Sequence, residues 1–277
     1  MNGKVLATGI DLAGRKQYIY SNNSKKLRET RKYNQLIKLS NNILKLKKQI
    51  NNDLLAKTMT KKKLIALMLK IMDLCNFRCG NKKYEEKYGS YGLTTLHKKH
   101  ISIKKDYTEI DFVGKKGVIN NCLIYDENIR QIIKNVYDLS DNTPYLFSIK
   151  YRSNIINVSI GDLNKYLEIY GITSKDLRTW NANIIFLQYL KKNINEISQQ
   201  TFNNMLNTKK LRIKKKIIRE SIKQTAILLH HTPSICKSSY IYKDIIIQLE
   251  TNNKIIKKLY NDKYTVEDII SEILIKK

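Results

Sequence analysis

The stretch HHTPSICKSSY, His230–Tyr240, decides how this chain is read. It holds two of the four histidines and one of the two prolines, and it ends on a tyrosine nine residues beyond His231. Pro233 has no N–H to give to a preceding turn, yet its fixed φ suits the first turn of a new helix. A helix arriving from upstream therefore ends near His230, and another begins near Ser234. The chain turns between an imidazole and a phenol, in a protein that is strongly basic.

Lys and Arg number 52 against 24 acidic residues in 277, a net charge of +28. Such an excess attracts a polyanion by counterion release, nucleic acid first of all. An anionic membrane surface would suit it too, and the abundance of Ile, Asn, Lys and Tyr also resembles AT-rich coding, so the charge needs a motif beside it. The length is ample for a real core, and two prolines and ten glycines argue against a long disordered linker. No signal-peptide pattern follows Met1 and no apolar run reaches about 18 residues, so the chain is read as soluble and intracellular, without a membrane partner. Cys75, Cys79, Cys122 and Cys236 have no paired framework spacing and are read as reduced, packing cysteines. CNFRC (75–79) with HKKH (97–100) fits zinc-site spacing too loosely to predict a metal.

Outward from the opening stretch, helical periodicity covers 208–229, 174–194, 160–170 and 126–139 on one side, and 241–259 and 264–276 on the other. Further upstream, Leu27, Tyr33, Leu36, Ile37, Ile43, Leu44 and Ile50 mark an amphipathic helix over 24–51, with LSNN (39–42) as a candidate break. Asp53–Cys75 predicts a second helix whose apolar end is buried. GLTTL, HISIKK, YTEIDFVG and GVINNCLIY, between 92 and 125, read as a small antiparallel sheet with a hairpin tip at GKKG (114–117). Residues 1–20 predict one or two short strands around DLAG (11–14), too little to fold alone. The fold class is α+β: a mainly helical domain with one inserted antiparallel sheet.

Attack on a phosphodiester places negative charge on two nonbridging oxygens, so fixed cationic forks are needed there. A nucleophile must sit in line, and the departing oxygen wants a proton. Arginine is the best fork, because its planar guanidinium matches two oxygens at once. Candidates for each role exist: Arg78 where the apolar helix gives way to the sheet, Lys115 at the hairpin tip, Arg178 in the first turn of a helix, and His231 with Tyr240. Taken singly each has a bland reading, a surface ion pair, a solvated turn or a packing tyrosine. Their order along the chain gives them weight.

FRCGNKKYEEKYGSYGLTTLHKKHI (77–101), IDFVGKKGV (110–118), SKDLRTWNANIIFL (174–187) and HHTPSICKSSYI (230–241) together resemble a type IB DNA topoisomerase of the compact poxvirus type. The similarity runs from about Gly9 through Tyr240 and more weakly to the C-terminus. It implies the tyrosine recombinase/topoisomerase IB catalytic core, relaxation of supercoiled double-stranded DNA through a 3′-phosphotyrosyl intermediate, and religation without ATP or a divalent metal. It implies Tyr240 as nucleophile, Arg78, Arg178 and His231 as the clamp on the nonbridging oxygens, Lys115 as proton donor to the 5′-oxygen, and Lys175 as its assistant. Lys83 and Tyr84 match positions near the DNA backbone, while Arg15, Gln17, Tyr18 and Tyr20 resemble a segment that reads the major groove. It also implies one chain acting as a monomer on DNA and, for a viral member, a location in the cytoplasmic virus factory and virion.

Two departures accompany the resemblance. Family members usually begin with a β-rich domain that closes over DNA, so residues 1–22 are read as a remnant of that clamp and 23–277 as the catalytic domain. His230 stands where the family commonly has glycine, and the spacing to Tyr240 with the following Thr-Pro favours His231 as the functional imidazole. Two rivals remain: a tyrosine recombinase, which normally carries histidine where this chain has Lys175, and a noncatalytic basic DNA-binding protein.

Overall fold

The computed structural model describes residues 5–275, apart from 13, 15, 140–142 and 152–153. Strands β1 (Val5–Ile10) and β2 (Lys16–Tyr20) form an antiparallel hairpin that is exposed along nearly its whole length. Helix α1 (Asn22–Leu54) follows, capped by the Ser21 hydroxyl, which accepts from the Ser24 N–H. Leu36, Leu39, Ile43, Leu46 and Ile50 recur at helical spacing and are buried. The break expected at LSNN does not occur. Leu39 and Ile43 anchor that turn in the core, the Asn42 amide donates back to the Lys38 carbonyl, and Ser40 is hydrogen-bonded to Ser271 of the last helix.

Helix α2 (Lys61–Cys75) is buried almost all round, as its apolar run predicts, and stops at Asn76, which adopts the left-handed conformation (φ 54°). Arg78 therefore lies in the loop beyond the helix. A short α3 (Lys82–Tyr88) leads to a three-stranded antiparallel sheet of β3 (Ile101–Ile103), β4 (Thr108–Val113) and β5 (Ile119–Ile124), with β4 central. GLTTL is a 3₁₀ turn at Leu93–Thr95 rather than a strand, because the chain must fold back there for Leu93 N–H to reach the Arg78 carbonyl at 2.8 Å. Helix α4 (Glu127–Leu139) is followed by a second hairpin, β6 (Ser148–Tyr151) with β7 (Asn154–Asn157), which the sequence pattern did not announce.

Helices α5 (Ile160–Leu167), α6 (Ser174–Asn195), α7 (Gln199–Asn203), α8 (Asn207–Leu228), α9 (Pro233–Ile235), α10 (Lys243–Thr251), α11 (Asn253–Leu259) and α12 (Val266–Ile275) complete the chain. The single helix expected over 241–259 is two. Asn252 ends α10, and its side chain caps α11 by accepting from Lys254 N–H, the local competition that asparagine offers to a continuous helix. Helix α6 runs through the middle of the domain and packs against α1, α2, α8 and α12. It buries Leu177, Trp180, Phe186, Leu187, Leu190 and Ile194, each contributing on the order of 1.5–3 kcal/mol.

Cys75 and Cys122 are joined in a disulfide, with Cα atoms 5.6 Å apart. This corrects the expectation of four reduced cysteines. The partners are separated by 47 residues, and only the packing of α2 against β5 brings them together. No helix among the described residues is long and apolar enough to cross a membrane.

Candidate active site

Helix α8 ends in a Schellman motif: His230 N–H donates to the Ile227 carbonyl at 3.0 Å and His231 N–H to the Ala226 carbonyl at 2.8 Å. The motif needs a left-handed residue, and His230 supplies it at φ 54°. A family glycine at this place would meet the same requirement without strain. His230 packs toward Phe77, with ring centroids 6.2 Å apart, while His231 is delivered to the site. Thr232 then caps α9 by accepting from Ile235 N–H, with Pro233 in its first turn. The chain continues into one π turn, Cys236–Tyr240, closed by Ile241 N–H on the Cys236 carbonyl. Such turns are rare and concentrate at functional sites.

Three side chains from distant parts of the chain converge on Tyr240. Its oxygen accepts from Arg78 Nε at 3.4 Å, its ring lies 4.8 Å from that of His231, and the Arg178 guanidinium carbon sits 5.5 Å from the ring centroid. Arg78 Nη2 lies 2.8 Å from Nδ1 and 2.9 Å from Nε2 of His231; a guanidinium only donates, so whichever ring nitrogen is unprotonated is the one that accepts from it. Burial, then the charges of Arg78, Arg178 and His230, lowers the His231 pKa to about 3. For Tyr240, burial pushes the phenol up, but the Arg178 and Arg78 cations outweigh it and hold the group below the usual tyrosine value.

Two close contacts place Arg78. The Cβ that an alanine would add at Gly92 would stand 2.7 Å from the Arg78 carbonyl oxygen, and one at Gly80 would stand 2.1 Å from Thr95 Oγ1. The two glycines let the 78–80 backbone lie directly on the 3₁₀ turn. Arg178 is set by the capping box of α6, in which Thr173 and Asp176 bond reciprocally. It is 4 % exposed, donates from Nη2 to the Leu229 carbonyl at 2.8 Å, and leaves Nε and Nη1 buried without a partner. The groups that bear on its charge are Tyr240, Arg78 and Cys79, none of them a carboxylate. A buried cation with spare donors near a helix N-terminus is a receptor for an anion.

Of the remaining predicted residues, two share a cleft with Arg78. Lys115 stands at the β4–β5 tip and shares with Arg78 and Tyr84 a cleft of about 210 Å³ that is also lined by Asn81, Tyr91 and Asn120. Lys175 is exposed in the first turn of α6. Lys83 is exposed on α3, where Tyr84 packs on Tyr88 with centroids 5.8 Å apart. On β2, Gln17 donates to Asp11 at 2.8 Å, Tyr18 is half-exposed, and Tyr20 lies under the Arg28 guanidinium at 3.6 Å. Arg15 lies outside the described residues.

Two contributors escape the sequence reading. Asn183, fully buried on α6, donates to the Tyr240 carbonyl at 3.0 Å and accepts from Tyr242 N–H at 2.9 Å. Lys32 of α1 reaches the carbonyls on either side of Tyr240. Lys32 belongs to no motif, and Asn183 lies within SKDLRTWNANIIFL without being singled out there; a buried asparagine in the middle of an apolar helix was the one available signal. The HKKH histidines serve structure: His97 pairs with Glu85 at 2.6 Å, and His100 Nδ1 accepts from His97 N–H. Among the described residues no group of His, Cys, Asp and Glu is arranged to hold a metal ion.

The mainly helical frame with its small antiparallel sheets is that of a topoisomerase I catalytic core. The chain belongs to that family: the model of the eukaryotic DNA topoisomerase I catalytic core matches residues 21–266. It is 32 % identical over 258 residues to DNA topoisomerase 1B of Acanthamoeba polyphaga mimivirus, covering 91 % of this chain and 74 % of the relative. It is 27 % identical over 253 residues to DNA topoisomerase 1B of vaccinia virus, covering 90 % and 74 %. Human DNA topoisomerase 1 is 28 % identical over 194 residues, 66 % of this chain and 24 % of the human protein.

Proposed function

We propose that this chain is a type IB DNA topoisomerase that relaxes supercoils of either sign by nicking one strand, letting it rotate and resealing it. The observation that carries the reading is the phenol of Tyr240 held against Arg78 among Arg178 and His231, with two Arg178 donors left over. A nonbridging phosphate oxygen is the acceptor those donors lack. The Tyr240 phenol releases its proton to solvent as its oxygen attacks phosphorus, the P–O5′ bond breaks, and the 3′ end stays esterified to the tyrosine while the 5′-oxygen takes a proton. Lys115, in the same cleft as Arg78, is the proton donor, and Lys175 assists it.

The electrostatics suit this order of events. The arginines that lower the phenol pKa make Tyr240 a better nucleophile, and they then meet the charge that develops on the nonbridging oxygens. His231, neutral at pH 7, still has one N–H to give to an oxygen. Because the phosphotyrosine ester keeps the energy of the broken bond, resealing is the same attack in reverse and needs no ATP. Arg78 and Arg178 supply the neutralisation that a divalent ion supplies elsewhere, with His231 as a neutral donor beside them, so the reading requires no metal. Lys83 and Tyr84 contact the DNA backbone beside the cleft, and the segment that carries Arg15, Gln17, Tyr18 and Tyr20 reads the major groove. Residues 23–277 form the catalytic domain, and the hairpin ahead of them takes part in holding DNA. One chain holds the whole set, so it acts as a monomer on DNA.

The test is covalent capture. The protein is incubated with 5′-labelled duplex in chelator, quenched in detergent and resolved, with Tyr240→Phe beside it. Label travelling with the wild-type protein and not with the variant, while both bind DNA alike, is the expected result. Relaxation of positively and negatively supercoiled plasmid then separates a topoisomerase from a recombinase. Binding without any adduct would overturn the reading in favour of a noncatalytic DNA-binding protein.

A further inference from the structure

Helix α1 enters the neighbourhood of Tyr240 through one side chain. Lys32 is half-buried beneath the π turn, and its Nζ donates to the Ser239 carbonyl at 2.9 Å and the Ile241 carbonyl at 3.4 Å. These are the carbonyls on the two sides of Tyr240, and the one between them is held by Asn183. The last carbonyls of a helical turn have no partner within it, and an ammonium is the charge that a helix C-terminus favours. Three successive carbonyls are thus gripped by side chains from α1 and α6. Both grips are long-range, Asn183 lying 57 residues from Tyr240 and Lys32 lying 207 from Ser239.

We propose that Lys32 is a positioning residue for phosphodiester transfer: by gripping the carbonyls that flank Tyr240, its ammonium sets the phenol oxygen in line with the phosphorus. The inference rests on Tyr240 being the nucleophile. The charged and titratable groups facing Lys32 are Glu29 on its own helix, Lys175 on α6 and Cys236 in the π turn. Burial, then Lys175, lowers the Lys32 pKa to about 8 against the opposing pull of Glu29 and Cys236. The Cys236 thiol is raised by burial to about 11 and stays neutral through that range. Above about pH 8 Lys32 loses its charge and with it the stronger, charge-assisted grip. An arginine in its place would keep the charge at every accessible pH.

Single-turnover adduct formation on 5′-labelled duplex, with the full chain, tests this in wild type, Lys32→Met and Lys32→Arg. Binding is measured in the Tyr240→Phe background. Methionine keeps the apolar stem and removes the donor, so it should slow cleavage by about tenfold, up to on the order of 10²-fold for a displacement near one ångström, with affinity unchanged. Arginine should restore most of the rate, and the ratio of its rate to wild type should climb as pH passes about 8. Lys32→Met cleaving at the wild-type rate overturns the proposal. So does a loss that arginine fails to rescue, or a ratio flat from pH 7 to about 9.5, since either would leave Lys32 only a packing role. No adduct with wild type would defeat the proposed function and this inference together, whereas a normal wild type beside an indifferent Lys32→Met defeats this inference alone.

Discussion

Arg78 and Arg178 hold their charge around one phenol with no carboxylate bonded to either guanidinium among the described contacts. Removing a donor of this kind from a reacting centre costs about 10² to 10³ in rate, so Arg78→Ala should slow single-turnover cleavage by that factor while DNA affinity changes little. Arg78 suits that measurement better than Arg178, whose bond to the Leu229 carbonyl also supports the end of α8. His231 makes the stability of the free protein sensitive to acid. Its pKa is about 3 in the fold and 6.5 as a free side chain, so below about 6.5 the unfolded chain takes up a proton that the native state refuses. The contribution is fully present above pH 6.5 and is lost progressively as pH falls through about 3. Urea midpoints at pH 7, 5 and 4 should therefore fall more steeply for wild type than for His231→Gln. Of this site, Arg78, Arg178, His231 and Tyr240 are visible in the sequence as residues of suitable chemistry, but their mutual contact and the neutrality of the imidazole are not.

The run from α8 to the π turn shows how local rules deliver a functional side chain. A Schellman end, a Thr–Pro start and one wide turn need only neighbouring residues, and Pro233 announces them. The same run carries a strained position. His230 at φ 54° pays the steric penalty of a side chain in the left-handed region, so His230→Gly should raise stability by about 1 kcal/mol, less the contribution of its contact with Phe77. A higher urea midpoint with an unchanged slope would confirm it, and a lower one would mean that the ring contact outweighs the backbone. Helices α6, α8 and α12 follow their apolar periodicity closely, because one buried stripe suffices to define each. Two of the elements that differ from the sequence reading do so for local reasons: Asn252 divides a helix by capping its second half, and Leu93–Thr95 turns because two glycines let the backbone close on Arg78.

At the scale of the molecule, long-range ties hold the site together. The Cys75–Cys122 disulfide joins the end of α2, three residues before Arg78, to the strand that follows Lys115. Closing a loop of this length restricts the unfolded chain, so reduction should lower the unfolding free energy by about 2–4 kcal/mol and should leave Cys122→Ala unaffected. Thermal melts with and without reductant measure it. Lys32 and Asn183 act at the same range, and no spacing rule points to either.

By itself the sequence determined the fold class, the main helices and the basic character, because periodicity, capping and composition are local properties, and through a family resemblance it offered candidates for phosphodiester chemistry. Only the tertiary structure decided which of them meet, that Cys75 finds Cys122, and that Arg178 keeps two buried donors free. It also decided that Tyr240 is gripped from α1 and α6. Contact, burial and the pKa shifts that follow from them depend on elements far apart in the chain, and their distances exist only once the core has packed.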